Sequence, residues 1–229
     1  MSSEVKEQPL SATAREVASG RGMLVVVSSP SGGGKGTLVR RALKIVPNLG
    51  YSVSFTTREP REGEVNGRDY FFVSEQEFRR KIEAGEFLEW ASVHSNLYGT
   101  SLAQIERERL AGRDIILEID VQGAASVRRL AQDATSVFIL PPSFEVLRAR
   151  LSARGTERED DLKLRLRNSV GEVEQYREFQ YVVINDDAER AAGLLASIIY
   201  AERARRERQE EAARLILASF RREAESPAD

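Results

Sequence analysis

The chain has 229 residues, and its content of 41% hydrophobic and 31% charged residues supports a buried core and excludes wholesale disorder. A formal net charge of −2 excludes a protein built around a sequence-independent grip on nucleic acid, so we expect no nucleic-acid partner. The absence of cysteine excludes disulfide frameworks, thiol catalysis and zinc–thiolate sites, and a single histidine excludes a metal site built from histidines.

The longest apolar runs, such as Met23–Val27, fall far short of the ~18 residues that a membrane-spanning helix needs. The start of the chain is charged and lacks the apolar segment of a secretory signal. We therefore expect a cytoplasmic protein with no membrane partner.

The first elements along the chain are a polar tail and an apolar strand. Residues 1–20 carry no periodic pattern, and we predict that they are disordered. Met23–Ser28 is an apolar, β-rich run that ends at a Pro/Gly cluster, and apolar residues then recur at helical spacing from Leu38 to Val46. The order of elements is strand, loop, helix.

Residues 52–99 differ in character, because short strand candidates alternate there with polar loops. Ser74 and Glu77 form a capping box that opens a short helix within this stretch. We predict a small lobe inserted between the first and second βα units. Its strand candidates are Ser52–Thr56, Asp69–Val73 and Phe87–Val93.

Apolar strands alternating with helices return after residue 100, which predicts an α/β fold with a parallel sheet covered on both faces. Glu118 and Asp120 are expected on one face of their strand, at its carboxyl end, where open α/β sheets bind ligands. The strand candidates are Ile115–Ile119, Val137–Leu140 and Tyr181–Ile184. Helices are predicted to begin near Ser101, Ser143, Thr156 and Ala188, and the third runs to about Phe179.

The segment between the first strand and the first helix has the composition of a phosphate-binding loop. Its glycines let consecutive backbone amides turn toward phosphate oxygens, and Lys35 is placed to bridge them. Two positions depart from the usual pattern: Ser29 replaces a glycine, and Gly36 replaces the hydroxyl that holds magnesium. A glycine-rich turn without a ligand is the alternative. The expected ATP-binding residues here are Ser29, Pro30, Ser31, Gly32, Gly33, Gly34, Lys35, Gly36 and Thr37.

The run Thr56-Thr-Arg58-Glu-Pro-Arg61-Glu-Gly-Glu64 closely resembles the signature of the guanylate kinase family. The resemblance continues in order from about Met23 to Arg203 and leaves only the two tails outside. Its other motifs are Phe87–Trp90, Asn96–Thr100, Leu117–Gly123, Arg150–Thr156 and Val183–Asp187.

This resemblance implies a P-loop kinase fold, with a five-stranded parallel sheet flanked by helices, an inserted GMP-binding lobe and a helical lid. It implies transfer of the γ-phosphoryl group of ATP to GMP with magnesium, giving ADP and GDP, in purine nucleotide metabolism and GMP recycling. The expected partners are ATP and GMP, and a homodimer is left open. The implied divisions are a core of residues 21–51, 100–145 and 171–205, a lobe of 52–99, a lid of 146–170 and a charged helical tail of 206–229.

The resemblance also assigns roles to individual residues. The implied catalytic set is Lys35, Arg58, Arg154 and Arg165, and Arg150 and Asn185 join the ATP-binding set. The implied GMP-binding set is Ser54, Arg58, Arg61, Glu64, Tyr70, Glu89, Tyr98, Thr100, Glu118 and Asp120. Magnesium is expected to bind through phosphates and water, with Glu118 or Asp120 facing it.

Two other functions compete with this interpretation. An adenylate-type monophosphate kinase shares the Gly-Lys-Gly-Thr loop, but carboxylates opposite adenine N1 would repel it. A non-catalytic, peptide-binding relative would have lost the phosphate-binding residues, whereas this chain keeps Lys35, Arg58 and Glu89. In the tail, Leu217 and Phe220 form a small apolar stripe on either a solvated helix or a partner-binding one.

Overall fold

The computed structural model describes residues 20–93, 95–153 and 159–225. In these ranges the strands are β1 (Leu24–Ser28), β2 (Leu49–Tyr51), β3 (Phe55–Thr56), β4 (Phe71–Phe72), β5 (Phe87–Val93), β6 (Asn96–Ser101), β7 (Asp114–Glu118), β8 (Thr135–Leu140) and β9 (Tyr181–Ile184). The α-helices are α1 (Lys35–Ile45), α2 (Glu75–Glu83), α3 (Leu102–Leu110), α4 (Val121–Leu130), α5 (Phe144–Ser152), α6 (Glu159–Glu174), α7 (Ala188–Arg203) and α8 (Arg206–Glu225). Apart from Gly20, the predicted tail of residues 1–20 lies outside the described residues.

A five-stranded parallel sheet forms the centre of the fold, with the strand order β2-β7-β1-β8-β9. All five residues of β1 are buried, and Val26 pairs with Leu117 on one side and Ser136 on the other. A strand with helices over both faces must be apolar on both faces, which is why β1 and β8 are nearly continuous apolar runs. The predicted α/β fold with a five-stranded parallel sheet is confirmed.

Helices cover the two faces of this sheet and complete two buried clusters. On one face, Leu38 of α1 packs with Leu195 and Ile199 of α7. On the other face, Ile105 of α3 and Val127 of α4 pack with the sheet. Each helix therefore contributes one apolar stripe and leaves its polar face to solvent.

A second sheet with the order β4-β3-β6-β5 is formed by the chain between β2 and α3. The helix α2 packs against this sheet through Phe78, which is fully buried and whose ring centroid lies 4.6 Å from that of Phe87 in β5. The Ser74 cap that the capping box predicted begins α2, because the Ser74 hydroxyl accepts a hydrogen bond from Glu77 N at 3.2 Å. The sequence missed β2, which has only three residues, and β6; both are mostly half-buried and so lack a strong apolar pattern.

The strands predicted at Ser52–Thr56 and Asp69–Val73 are shorter in the structure, where β3 and β4 have two residues each. Thr156, the predicted start of the third helix, lies outside the described residues.

Two further boundaries differ from the sequence predictions for local reasons. The strand predicted at Ile115–Ile119 is β7, which ends at Glu118, and Asp120 is instead the residue that caps α4. Its side chain accepts a hydrogen bond from Gly123 N at 2.8 Å, so helix capping ends the strand early. The helix predicted to reach Phe179 ends at Glu174 and is followed by a 3₁₀ turn at Gln175–Glu178.

A cavity of about 700 Å³ lies where the chain enters β1, at the end of the sheet away from the phosphate loop. It is lined by Gly20, Arg21 and Asp114 together with the start of α8, including Arg208. None of the helices in the described ranges has the length and apolar composition to cross a bilayer.

Candidate active site

The phosphate loop lies between β1 and α1 and depends on glycine at two positions. Gly32 and Gly34 have φ angles of 83° and 90°, in the left-handed region that side chains with a Cβ rarely adopt. A Cβ on Gly34 would lie 2.4 Å from Asn185 Nδ2, so this glycine also permits a close approach. The loop leads directly into the N-terminus of α1, where backbone amides and the helix dipole favour an anion.

Asn185 and Arg150 hold this loop in place through hydrogen bonds. Asn185 Nδ2 donates to Gly33 O at 2.9 Å, and Arg150 donates to Asn185 O at 2.9 Å and to Gly33 O at 3.4 Å. Asn185 is only 4% exposed, and among the described residues nothing donates to its buried Oδ1. A buried amide oxygen without a donor is energetically costly.

One cleft of about 410 Å³ joins the loop to the second sheet and to α6. Of the predicted residues, those lining the cleft are Ser29, Ser31, Lys35, Ser54, Arg61, Tyr70, Glu89, Tyr98, Glu118, Asp120 and Arg165. The cleft therefore combines residues of the phosphate loop, cations and carboxylates in one space. Arg154 lies outside the described residues.

Arg58 and Glu64 form a fixed pair next to this cleft. Two oxygens of Glu64 accept from Arg58 Nη2 at 2.8 and 2.9 Å, and Glu64 also accepts from Arg61 N at 2.8 Å. Burial would lower the pKa of Arg58, but the bonds to Glu64 outweigh it and raise the pKa. The Arg58 guanidinium lies 5.4 Å from the centre of the Tyr70 ring. Glu64 thus orients the arginine.

Tyr70 remains a hydrogen-bond donor at neutral pH. Burial, followed by the charges of Glu118 and the neighbouring Tyr98, raises the pKa of Tyr70 to about 12. A phenol that stays protonated can donate to an anion, and Tyr70 lies in the wall of the cleft beside the Arg58–Glu64 ion pair.

Glu89 places a buried carboxylate at the other end of the cleft. It is 6% exposed, and the Thr100 hydroxyl donates to its Oε1 at 2.6 Å. Burial raises the pKa of Glu89 to about 7; the Thr100 bond lowers it in part, and the Asp120 charge adds to the rise. A Cβ on Gly123 would lie 2.8 Å from Glu89 Oε2, so glycine at the start of α4 permits this placement.

Glu118 faces the position where the loop lacks its usual hydroxyl. A Cβ on Gly36 would lie 3.1 and 3.4 Å from the two carboxylate oxygens of Glu118. Tyr51, which the sequence analysis did not single out, donates to Glu118 Oε2 at 3.5 Å, and burial raises the pKa of this tyrosine. No group of three His, Cys, Asp or Glu side chains that could hold a metal ion occurs in the described ranges.

Sequence reasoning missed several residues in the wall of the cleft. Asn168 and Glu172 follow Arg165 at helical spacings of three and seven residues, so a helical projection from Arg165 would have found them. Ser92 and Gln122 also line the cleft but follow no pattern that marks them.

A glycine-rich loop with a lysine at the carboxyl end of a buried parallel strand, beside a cleft lined by arginine and carboxylate side chains, is the arrangement of a P-loop nucleotide kinase. A sequence model of the family described as guanylate kinase matches residues 21–202. The guanylate kinase of Rubrobacter xylanophilus is 54% identical over 171 residues, which are 75% of this chain and 90% of the relative. That of Geobacter sulfurreducens is 48% identical over 184 residues, covering 80% and 91%.

A solved structure, the crystal structure of guanylate kinase from Anaplasma phagocytophilum, matches with a TM-score of 0.69 and 35% identity. The match covers 81% of this chain and 88% of that chain. The chain belongs to the guanylate kinase family, as its motifs predicted, and is a nucleoside monophosphate kinase, a phosphotransferase.

Proposed function

We propose that this one cleft holds ATP and GMP together and passes the γ-phosphoryl group of ATP to a phosphate oxygen of GMP, giving ADP and GDP. The observation that carries the proposal is that Lys35, Arg61 and Glu89 line the same cleft. These three groups serve, in turn, the phosphates of the donor, the phosphate of the acceptor and the base of the acceptor.

The chemistry needs positive charge and positioning rather than a general base. The attacking oxygen of GMP is already ionised at neutral pH, so no residue has to remove a proton. Two unit charges 4 Å apart repel by about 4 kcal/mol at an effective dielectric constant of 20, and several meet here. Lys35, Arg61 and Arg165 line the cleft and offset that repulsion, while Arg154 is proposed to join them from outside the described residues.

Guanine is read by acceptors and donors at the lobe end. Ionised Glu89 accepts from the N1–H and the amino group of guanine, and the Ser54 hydroxyl donates to O6. The Thr100 hydroxyl is engaged with Glu89, so we assign Thr100 to orienting this carboxylate. Arg58, Arg61, Tyr70 and Tyr98 are assigned to the GMP phosphate, with Glu64 holding Arg58 and the Arg61 backbone in place.

The oxygen donors near the loop fit magnesium bound mainly through nucleotide phosphates and water. Glu118 occupies the space beside Gly36, so its carboxylate is proposed to hold a magnesium-bound water where a hydroxyl is missing. Asp120 is committed to capping α4, which favours Glu118 for this role. Bound magnesium offsets the charge of the phosphate oxygens.

Asn185 is proposed to serve the adenine of ATP in addition to supporting the loop. Its Oδ1 is a buried acceptor, and the adenine amino group is a donor of the right kind. The proposal also includes the division into core, lobe and lid at the residue ranges predicted from the sequence. It further includes a cytoplasmic location and a role in purine nucleotide metabolism and GMP recycling.

The test is an assay of ADP release from ATP in the presence of GMP, AMP, CMP or UMP, with and without magnesium. Of the four nucleoside monophosphates, we expect only GMP to give rapid release of ADP, and only when magnesium is present. Lys35→Met is the matched control, because it removes the loop cation from an otherwise intact fold. No GMP-dependent release at saturating magnesium would favour the non-catalytic, peptide-binding alternative.

A further inference from the structure

A hydrogen bond connects the end of α6 to the phosphate loop. Glu172, near the end of α6, accepts from the backbone N–H of Ser31 at 2.8 Å, although the two residues are 141 positions apart in the chain. Both side chains line the cleft. The bond therefore brings a negative charge to the loop that has to hold the phosphates of ATP.

A carboxylate on a phosphate-loop amide competes with the ligand. Backbone amides of such loops bind phosphate oxygens because they point inward and add their partial positive charge. A carboxylate oxygen uses the same donor in the same way, with a charge-assisted bond. Glu172 therefore acts on the loop as a phosphate oxygen does, but it belongs to the protein.

The same face of α6 carries a cation and an amide. Arg165, Asn168 and Glu172 are spaced three and then four residues apart, so they lie on one face of the helix, and all three line the cleft. Phosphates in the cleft attract the guanidinium of Arg165 and repel the carboxylate of Glu172. Nucleotide binding thus acts in opposite directions on two points of one helix.

We propose that Glu172 is a displaceable internal anion of the phosphate loop, which holds the Ser31 amide and gives it up when ATP phosphates bind. This inference rests on the ATP site proposed above. Glu172 is a positioning residue, since it acts through the loop. Its carboxylate keeps the affinity for ATP below what the loop and its cations alone would give, which allows nucleotide to leave.

The test compares ATP binding by the full-length chain and its Glu172→Gln variant, measured by calorimetry with magnesium and without GMP. Glutamine keeps an acceptor oxygen for Ser31 N but removes the charge. We expect Glu172→Gln to bind ATP about threefold to tenfold more tightly at low salt, with the gain shrinking as salt screens the charge. Adenosine, which has no phosphate, should bind both proteins equally.

Two further variants separate charge from geometry. Glu174→Gln makes the same charge change at an exposed position two residues away on α6 and should leave ATP affinity unchanged. Glu172→Asp keeps the charge and should bind ATP within about twofold of the unmodified protein.

Unchanged or weaker ATP binding by Glu172→Gln would overturn the proposal. So would an equal gain with Glu172→Asp, Glu174→Gln or adenosine. Because GMP is absent, these outcomes are independent of whether the protein phosphorylates GMP.

Discussion

Burial favours the neutral form of Glu89, whereas an acceptor for guanine must be ionised. Its pKa of about 7 lies above the ordinary value of 4.5, so its contribution to folding is fully present below pH 4.5 and is lost as pH rises through about 7. GMP binding has the opposite sign and strengthens as Glu89 ionises. We expect GMP affinity at pH 6 to be about tenfold below its value at high pH.

The measurement is a titration of GMP by calorimetry across this pH range, with Glu89→Gln as the control. The phosphate of GMP titrates in the same region, so only the difference between the two proteins reports on Glu89. The variant should bind GMP more weakly at pH 8, discriminate less against AMP and show the smaller pH dependence. Identical pH profiles would remove Glu89 as the group that reads the base.

Gly36 is the residue at which the loop departs from the usual pattern. A side chain there meets the flexible end of Glu118, which can shift by a few tenths of an ångström. We expect Gly36→Ser to leave turnover within about twofold, and magnesium affinity equal or higher, because serine adds an oxygen ligand. The magnesium dependence of ADP release and Mn²⁺ binding, with Gly36→Ala as control, measure this.

The alanine variant separates space from chemistry at this position. Equal and large losses in both variants would mean that Glu118 cannot move, and that the glycine is required for space. A gain in magnesium affinity in Gly36→Ser but not in Gly36→Ala would show that the missing hydroxyl weakens magnesium binding.

At the scale of elements, Arg58 belongs to the lobe, and Lys35 belongs to the core. The Arg58 guanidinium is paired with Glu64 and lies over Tyr70, and both of these residues belong to the lobe. We expect Arg58→Ala to raise the KM for GMP by at least about tenfold and to change the KM for ATP by less than about twofold, because a bidentate cation is lost on one side only. Equal changes in the KM for GMP and the KM for ATP would contradict the assignment of Arg58 to the GMP side of the cleft.

The elements that the sequence predicted best are those with local signals. β1 and β8 are apolar runs, and the Ser74, Ser101 and Ser143 caps all accept from the amide three residues on. β2 was missed because its three residues become a strand only by pairing with β7, which is distant in the chain.

The same distinction holds for the site. The P-loop and the arginine motif are contiguous in sequence, so their residues were found together. The bonds from Asn185 to Gly33 and from Glu172 to Ser31 join residues more than a hundred positions apart. The family motif marked Asn185 but not its contact with Gly33, and no local pattern marked Glu172. Side chains that act through tertiary contacts require the structure.

At the scale of the whole molecule, α8 is a helix of 20 residues that lies outside the buried core. None of its residues is buried, and Leu217 and Phe220 are 50% and 70% exposed. Its links to the rest of the chain include Arg208 to Asp133 O at 3.4 Å and Gln209 to Arg203 O at 2.9 Å.

Ending the chain after Arg205 should therefore leave GMP turnover within about twofold and the melting temperature within about 3 °C of the full-length value. Thermal unfolding and light scattering of both proteins provide the measurement. If the full-length protein scatters as a dimer, and the shortened protein scatters as a monomer and is inactive, then α8 instead joins two copies.

The cavity at the entry to β1 marks a side of the protein that suits attachment to a support or a fusion partner. Gly20 and Arg203 both line it, at the end of the sheet opposite the phosphate loop, so both ends of the enzyme's core leave from one side. Termini that lie close together at the surface favour circular permutation and domain insertion. A linker from Arg203 to Gly20 would thus allow new chain ends elsewhere, and a support or fusion partner attached here would lie at the end of the sheet opposite the phosphate loop.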